Sequence, residues 1–170
     1  PQVGGYDFVR LQASLADNVN RYMQRWNELG GLDFSMLDLE DPYNPLDKQA
    51  TAEWALGWLD TVEKATGKPA VFYSYSGYIS AHVAPDARLA QFLLWVANYG
   101  TNNGITPPTR PWPPVPAPWS DIFAWQHTSV GSLPGYSGNL VLNLFDISSF
   151  ATQGEDMPLT AAEKYEIVGR

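Results

Sequence analysis

Cysteine is absent from the 170 residues, which rules out disulfides, thiolate metal sites and a thiol nucleophile. Histidine occurs only at His82 and His127, too few for a His-rich metal centre, so neither a metal nor another cofactor is expected. Basic residues are also scarce. Ten Lys and Arg stand against eighteen Asp and Glu, giving a net charge of -8. Nucleic-acid binding needs clustered Lys and Arg, and no basic patch is present, so no such partner is expected. No stretch approaches the roughly 20 apolar residues that span a bilayer, and no basic-then-apolar leader opens the chain, so no membrane partner is expected. A glycine fingerprint for phosphates or dinucleotides is missing after every strand-like run.

What remains is ordinary globular material. Hydrophobic residues make up 45% and charged residues 16%, and the length fits one domain with a real core. Seven Trp and nine Tyr stand out. Such rings stack on the C–H faces of sugars, but cores use them equally, and composition alone favours a core. The first residue is Pro1, directly before a strand-like run, which reads as a fragment, a processed product or a trimmed chain.

Residues 3–9 read as a strand with Tyr6 and Phe8 on one face. Residues 14–29 follow with helical spacing of Leu15, Val19, Tyr22, Met23 and Trp26, stopped by Gly30 and Gly31. Residues 34–39 form a short buried strand. A second helix covers 46–65 and ends at Gly67, and 70–75 is a strand rich in β-formers. A weaker helical patch occupies 76–92, interrupted by Pro85, and 93–97 is again strand-like. From 100 to 118 the chain is Pro- and Gly-rich loop. Strands at 122–127 and 140–144 follow with no helix between them. Strand–helix alternation implies a parallel sheet, in a closed barrel or a doubly wound arrangement. The domain is expected over residues 1–150. Residues 151–170 form a tail, where Thr160 and Glu163 make a capping box that suits a docking helix or the start of a linker to another module.

The most informative segment is Asp38-Leu39-Glu40-Asp41-Pro42. A strand of apolar residues ends in three carboxylates, which are costly to bury when ionised. Side chains alternate, so Asp38 and Glu40 share a face, with roughly 6.6 Å of backbone rise between them. Two like charges held close push up the pKa of one of them. The outcome is one protonated acid beside one ionised partner, the division that glycoside cleavage needs. Glu40, longer and nearer the mouth, reads as the general acid/base, and Asp38 as the deeper residue that tunes it and orients substrate. Asp41 before Pro42 reads as turn chemistry. On spacing alone, carboxylates that merely solvate the strand end or cap the next helix are the somewhat favoured reading.

Six blocks in order change that balance: VGGYDF at 3–8, LDLED at 37–41, VFYSY at 71–75, LWVANY at 94–99, AWQHTS at 124–129 and GYSGNLVLNLF at 135–145. Together they resemble glycoside hydrolase family 25, the Chalaropsis-type lysozymes of phage endolysins and bacterial autolysins. The resemblance implies an α/β fold, a TIM-like flattened (β/α)5(β)3 barrel that agrees with the late strands lacking helices. It implies hydrolysis, with retention, of the β-1,4 bond between N-acetylmuramic acid and N-acetylglucosamine in peptidoglycan glycan strands. Asp38 and Glu40 match the family's catalytic pair. A substrate acetamido group would attack, Asp38 would polarise it, and Glu40 would protonate the leaving oxygen. Tyr6, Phe8, Tyr73, Tyr75, Trp95, Tyr99, Trp125 and Gln126 match cleft positions, for each of which a core role competes with sugar contact. His127 stands where the family often has an aromatic ring.

Two departures matter. Family members begin with an Asp-bearing strand and a further strand–helix unit, neither of which has a counterpart here. The resemblance therefore implies a barrel starting at the third strand, with open edges and an exposed core unless a missing N-terminal segment or a partner fills the gap. The late motif also carries an Asp two residues after Gly-Asn, where this chain has Val141. Asn143 shares that parity and can supply only a hydrogen bond, while Asp146 has the opposite parity. The expected place of action is the bacterial cell wall, reached by phage release through the membrane or by secretion, with targeting by an additional wall-binding domain. The alternative is a non-catalytic glycan-binding or structural domain of the same fold. A chitinase-like enzyme would show a longer Asp-rich strand motif than this one.

Overall fold

The computed structural model describes residues 3–105 and 112–146. Strand β1 (Gly4–Phe8) leads to helix α1 (Leu15–Glu28), β2 (Phe34–Asp38), α2 (Lys48–Thr66), β3 (Ala70–Tyr75) and the short helix α3 (Ser76–His82). A 3-10 turn at Ala87–Gln91 precedes β4 (Leu93–Ala97), β5 (Ala124–Gly131) and β6 (Leu140–Phe145). The tail with Thr160 and Glu163 lies outside the described residues.

Local chemistry sets these boundaries. Ser14 caps α1 by accepting from the Asp17 amide at 3.1 Å, and Asp47 caps α2 through the Ala50 amide at 2.8 Å. Gly67, at φ 64°, ends α2 with its N–H on the Glu63 carbonyl, a left-handed turn that an L side chain would strain. The expected helix over 76–92 is two pieces. Pro85 lacks an N–H and pushes the residue before it out of helical conformation, so the chain runs extended from Val83 before turning again at Ala87.

The six strands pair in chain order, parallel from β1 through β5, with β6 antiparallel to β5. The sheet curls into half of a barrel, the partial TIM-like α/β architecture expected. One buried cluster fills the space between the outer sheet face and the helices, around Leu37, Leu39, Leu56, Trp58, Leu59 and Phe72. Each such side chain contributes about 1.5–3 kcal/mol by leaving water. A second cluster lines the concave face, with Phe34, Val71, Tyr73, Trp95 and Phe123. Because the helices pack on the outer face, the doubly wound alternative is excluded. Strand β5 also starts later than expected and runs further, to Gly131, where its pairing with β6 continues through two register shifts after Gln126.

Candidate active site

Strand register decides which side chains meet on the concave face. Phe8 pairs with Asp38, Asp38 with Tyr73, and Tyr73 with Trp95, so these four form one row across β1 to β4. The next row toward the C-terminal ends holds Tyr75, Ala97, Gln126 and Asn143. Leu39 continues the ladder beyond β2, its N–H on the Tyr73 carbonyl at 3.0 Å, while its side chain is buried on the helix side. Glu40 is thereby delivered to the same side as Asp38, one step nearer the mouth. It lines an open groove of about 470 Å³ with Tyr75, Ser76, Gly77, Ala97, Asn98 and Tyr99.

The two carboxyl groups differ in depth. Asp38 is 9% exposed, and its Oδ1 is buried without a hydrogen-bond partner. Burial, then the charge of Glu40 and that of Asp7, push its pKa up to about 8, with Arg10 acting in the opposite direction. Burial also raises Glu40 above the usual carboxylate range. The sequence reading allots one raised and one ordinary carboxyl, with Glu40 as the acid. In the free protein both are raised, and the deeper Asp38 is the one held near neutrality.

A polar wall stands beside the pair. Gln126 Oε1 accepts from the Tyr73 hydroxyl at 3.0 Å and the Tyr99 hydroxyl at 2.5 Å. Burial keeps both phenols neutral by raising their pKa. Trp95 is buried, edge-on to Tyr73 and Phe145, and its indole N–H donates to Asn143 Oδ1 at 3.1 Å. The inward parity and hydrogen-bonding capacity of Asn143 are therefore as the sequence implies.

Among the expected cleft residues, Tyr75, Tyr99 and Glu40 reach the groove itself. Tyr73, Trp95, Gln126 and Asp38 lie beneath it in the two rows. Phe8 closes the row at β1, whereas Tyr6, one step lower on that strand, is 59% exposed. Trp125 does not join them. Adjacent to inward-facing Gln126, it must point outward, where it packs against Trp112 and the helix-side cluster and donates to the Asn98 carbonyl at 2.7 Å. His127 sits near it, ring centroids 5.8 Å apart. Asp41 acts as turn chemistry, accepting from the Leu11 and Tyr43 amides at 2.8 and 3.0 Å.

Ser76, Gly77 and Asn98 are groove residues that the sequence reading passes over. They lie within two residues of the C-terminal ends of β3 and β4, the place where barrels build their sites, and Asn98 lies inside the LWVANY block. Asp7 is a further omission. It faces outward, accepting from Arg21 at 2.8 Å and the Trp58 indole at 3.3 Å, so its charge reaches Asp38 from behind the strand. Among the described residues, no group of three or more His, Cys, Asp or Glu could hold a metal ion, and no helix is long and apolar enough to cross a membrane.

The family model described as glycosyl hydrolases family 25 matches residues 2–136. No curated protein matches the chain. Among solved structures, the Clostridium perfringens spore cortex lytic enzyme SleM is similar at a TM-score of 0.72 and 22% identity, over 87% of this chain and 51% of that one. The bacterial lysozyme from Streptomyces coelicolor gives 0.66 and 19%, over 84% of this chain and 66% of that one. The modular Cpl-1 endolysin, complexed with a peptidoglycan analogue, gives 0.58 and 28%, over 75% and 36%. The chain thus spans between 36% and 66% of the length of these proteins.

Proposed function

This chain belongs to glycosyl hydrolases family 25, and from that premise we propose that it is the catalytic part of a peptidoglycan hydrolase. The reaction is cleavage, with retention, of the β-1,4 bond between N-acetylmuramic acid and N-acetylglucosamine. The observation that carries this reading is the stepped carboxylate pair, with Asp38 buried and poorly solvated and Glu40 open to a sugar-sized groove.

In the proposed cycle the substrate acetamido N–H donates to Asp38. A hydrogen bond of that kind favours the ionised carboxylate, so the proton that Asp38 holds in the free protein passes to Glu40. Glu40 then protonates the glycosidic oxygen as the acetamido oxygen attacks the anomeric carbon and the C–O bond breaks. Asp38 stabilises the cationic ring so formed. Water, deprotonated by Glu40, opens that ring from the opposite face, and two inversions give net retention. Tyr75 and Tyr99 supply the walls against which sugar faces stack. A low local dielectric strengthens each of these contacts.

The cell wall is then the place of action, and the reading extends to phage lysins and secreted autolysins alike. Purified cell walls incubated with the protein should release reducing ends, and Glu40→Gln should abolish that release. Borohydride reduction of the products should yield muramitol; glucosaminitol instead would assign the cut to the other glycosidic bond. A second reading, wall binding without turnover, is favoured by Asn143 and Val141, since neither supplies a carboxylate beside the pair. Saturable wall binding with no reducing ends would establish it.

A further inference from the structure

Arg10 stands just past the C-terminal end of β1, with its guanidinium carbon 4.3 Å from the Phe8 ring centre. Phe8 is the register partner of Asp38, so this cation caps the same row of side chains that holds the deeper carboxyl. Its backbone is fixed from several directions. The Arg10 N–H donates to Asn18 Oδ1 at 3.2 Å, and Asn18 Nδ2 donates back to the Arg10 carbonyl at 3.1 Å. Asn18 is fully buried and held in turn by the Ser14 carbonyl. On either side, the Val9 amide donates to the Asp38 carbonyl at 3.2 Å and the Leu11 amide to Asp41 Oδ2 at 2.8 Å.

The side chain is nevertheless exposed and takes part in none of the ion pairs among the described residues. Arg21 and Arg88, by contrast, are matched with carboxylates. A ring-stacked guanidinium on a fixed stretch of backbone, outside the ion pairs among the described residues, presents a planar fork of donors suited to a carboxylate. It does so at the edge of a site whose own charges are negative and would otherwise repel such a group. Its nearness also registers on Asp38, whose pKa it lowers.

We propose that Arg10 is a specificity determinant that binds a carboxylate substituent of the glycan beside the bond to be cut. The inference rests on the hydrolase reading and names the substrate feature it selects. In wall glycans that carboxylate has two sources: the lactyl group of muramic acid once its peptide is removed, or the acidic residues of an attached peptide.

Three glycan preparations separate these sources: peptide-bearing, peptide-stripped with free lactyl carboxylates, and carboxyl-reduced. Arg10→Gln should raise KM about tenfold on whichever anionic glycan supplies the group, with kcat within about twofold and no change on the reduced glycan; Arg10→Lys should recover part of the loss. Equal effects on all three preparations, with a shifted pH profile, would reduce Arg10 to tuning Asp38 and overturn the proposal, as would no effect on any. Calorimetric binding of the same glycans to Glu40→Gln, with and without Arg10→Gln, keeps the two claims separable. Absence of turnover by the unmodified protein defeats the hydrolase reading, while a charge-dependent difference in binding still decides the role of Arg10.

Discussion

Asp38→Asn should make the fold more stable at pH 8 while changing it little at pH 4. The carboxyl is 9% exposed, its Oδ1 has no hydrogen-bond partner, and its pKa is pushed up to about 8. In the unfolded chain an Asp titrates near 3.9. Between these values the folded state binds more protons than the unfolded one, so stability falls as pH rises. Below about pH 4 both states are protonated and no penalty operates. Four pH units at about 1.4 kcal/mol each set a ceiling on the order of 5 kcal/mol, and relaxation with water entry brings the expected loss to about 2–3 kcal/mol. Asn has nearly the same shape and cannot ionise, so the variant lacks that slope. Urea midpoints at pH 4, 6 and 8, with the m-value checked for constancy, measure it directly. Parallel pH curves for the two proteins, or a variant weaker at pH 8, would refute the reasoning. Hydrolysis should meanwhile drop at least about 100-fold, because the amide cannot stabilise a cationic ring.

Activity on cell walls should persist to about pH 8 and decline above it, since a raised pKa keeps a proton on the pair below that point; rates between pH 5 and 10 test this, and a decline complete by pH 5 contradicts it. Tyr75→Ala should raise KM about tenfold with little change in kcat, because the ring lines the groove as a wall for the sugar. Trp125→Phe should leave KM unchanged and cost about 1 kcal/mol in denaturant unfolding, through loss of its bond to the Asn98 carbonyl. Gln126→Leu should cost about 2–4 kcal/mol by stranding two phenolic hydroxyls, read as a lowered thermal midpoint.

The order of elements was legible because it rests on local signals. Apolar runs, Ser14 and Asp47 caps, and the Gly67 stop each act within a few residues of themselves. The shared face of Asp38 and Glu40 was legible for the same reason, being a matter of strand parity. Relations across the sheet were not. The extension of β5 to Gly131 arises from pairing with β6, so residues 128–131 carry no local sign of it. The outward turn of Trp125 follows from parity once Gln126 is inward, but which of two adjacent residues faces in depends on the neighbouring strand. Asp7, Arg21 and Trp58 come from three separate elements, and only the packing of α1 and α2 on β1 and β2 unites them. The depth of Asp38, and hence its proton, likewise depends on burial contributed by distant residues.

A single amide oxygen on Gln126 takes the protons of two phenols. Those hydroxyls therefore have only lone pairs left to offer, and the side of the hollow they form can accept hydrogen bonds but not give them. A sugar settling there must turn its own O–H or amide N–H toward Tyr99 and keep its carbonyls elsewhere. The orientation of the incoming ring is in this way decided by where two small hydrogens already point.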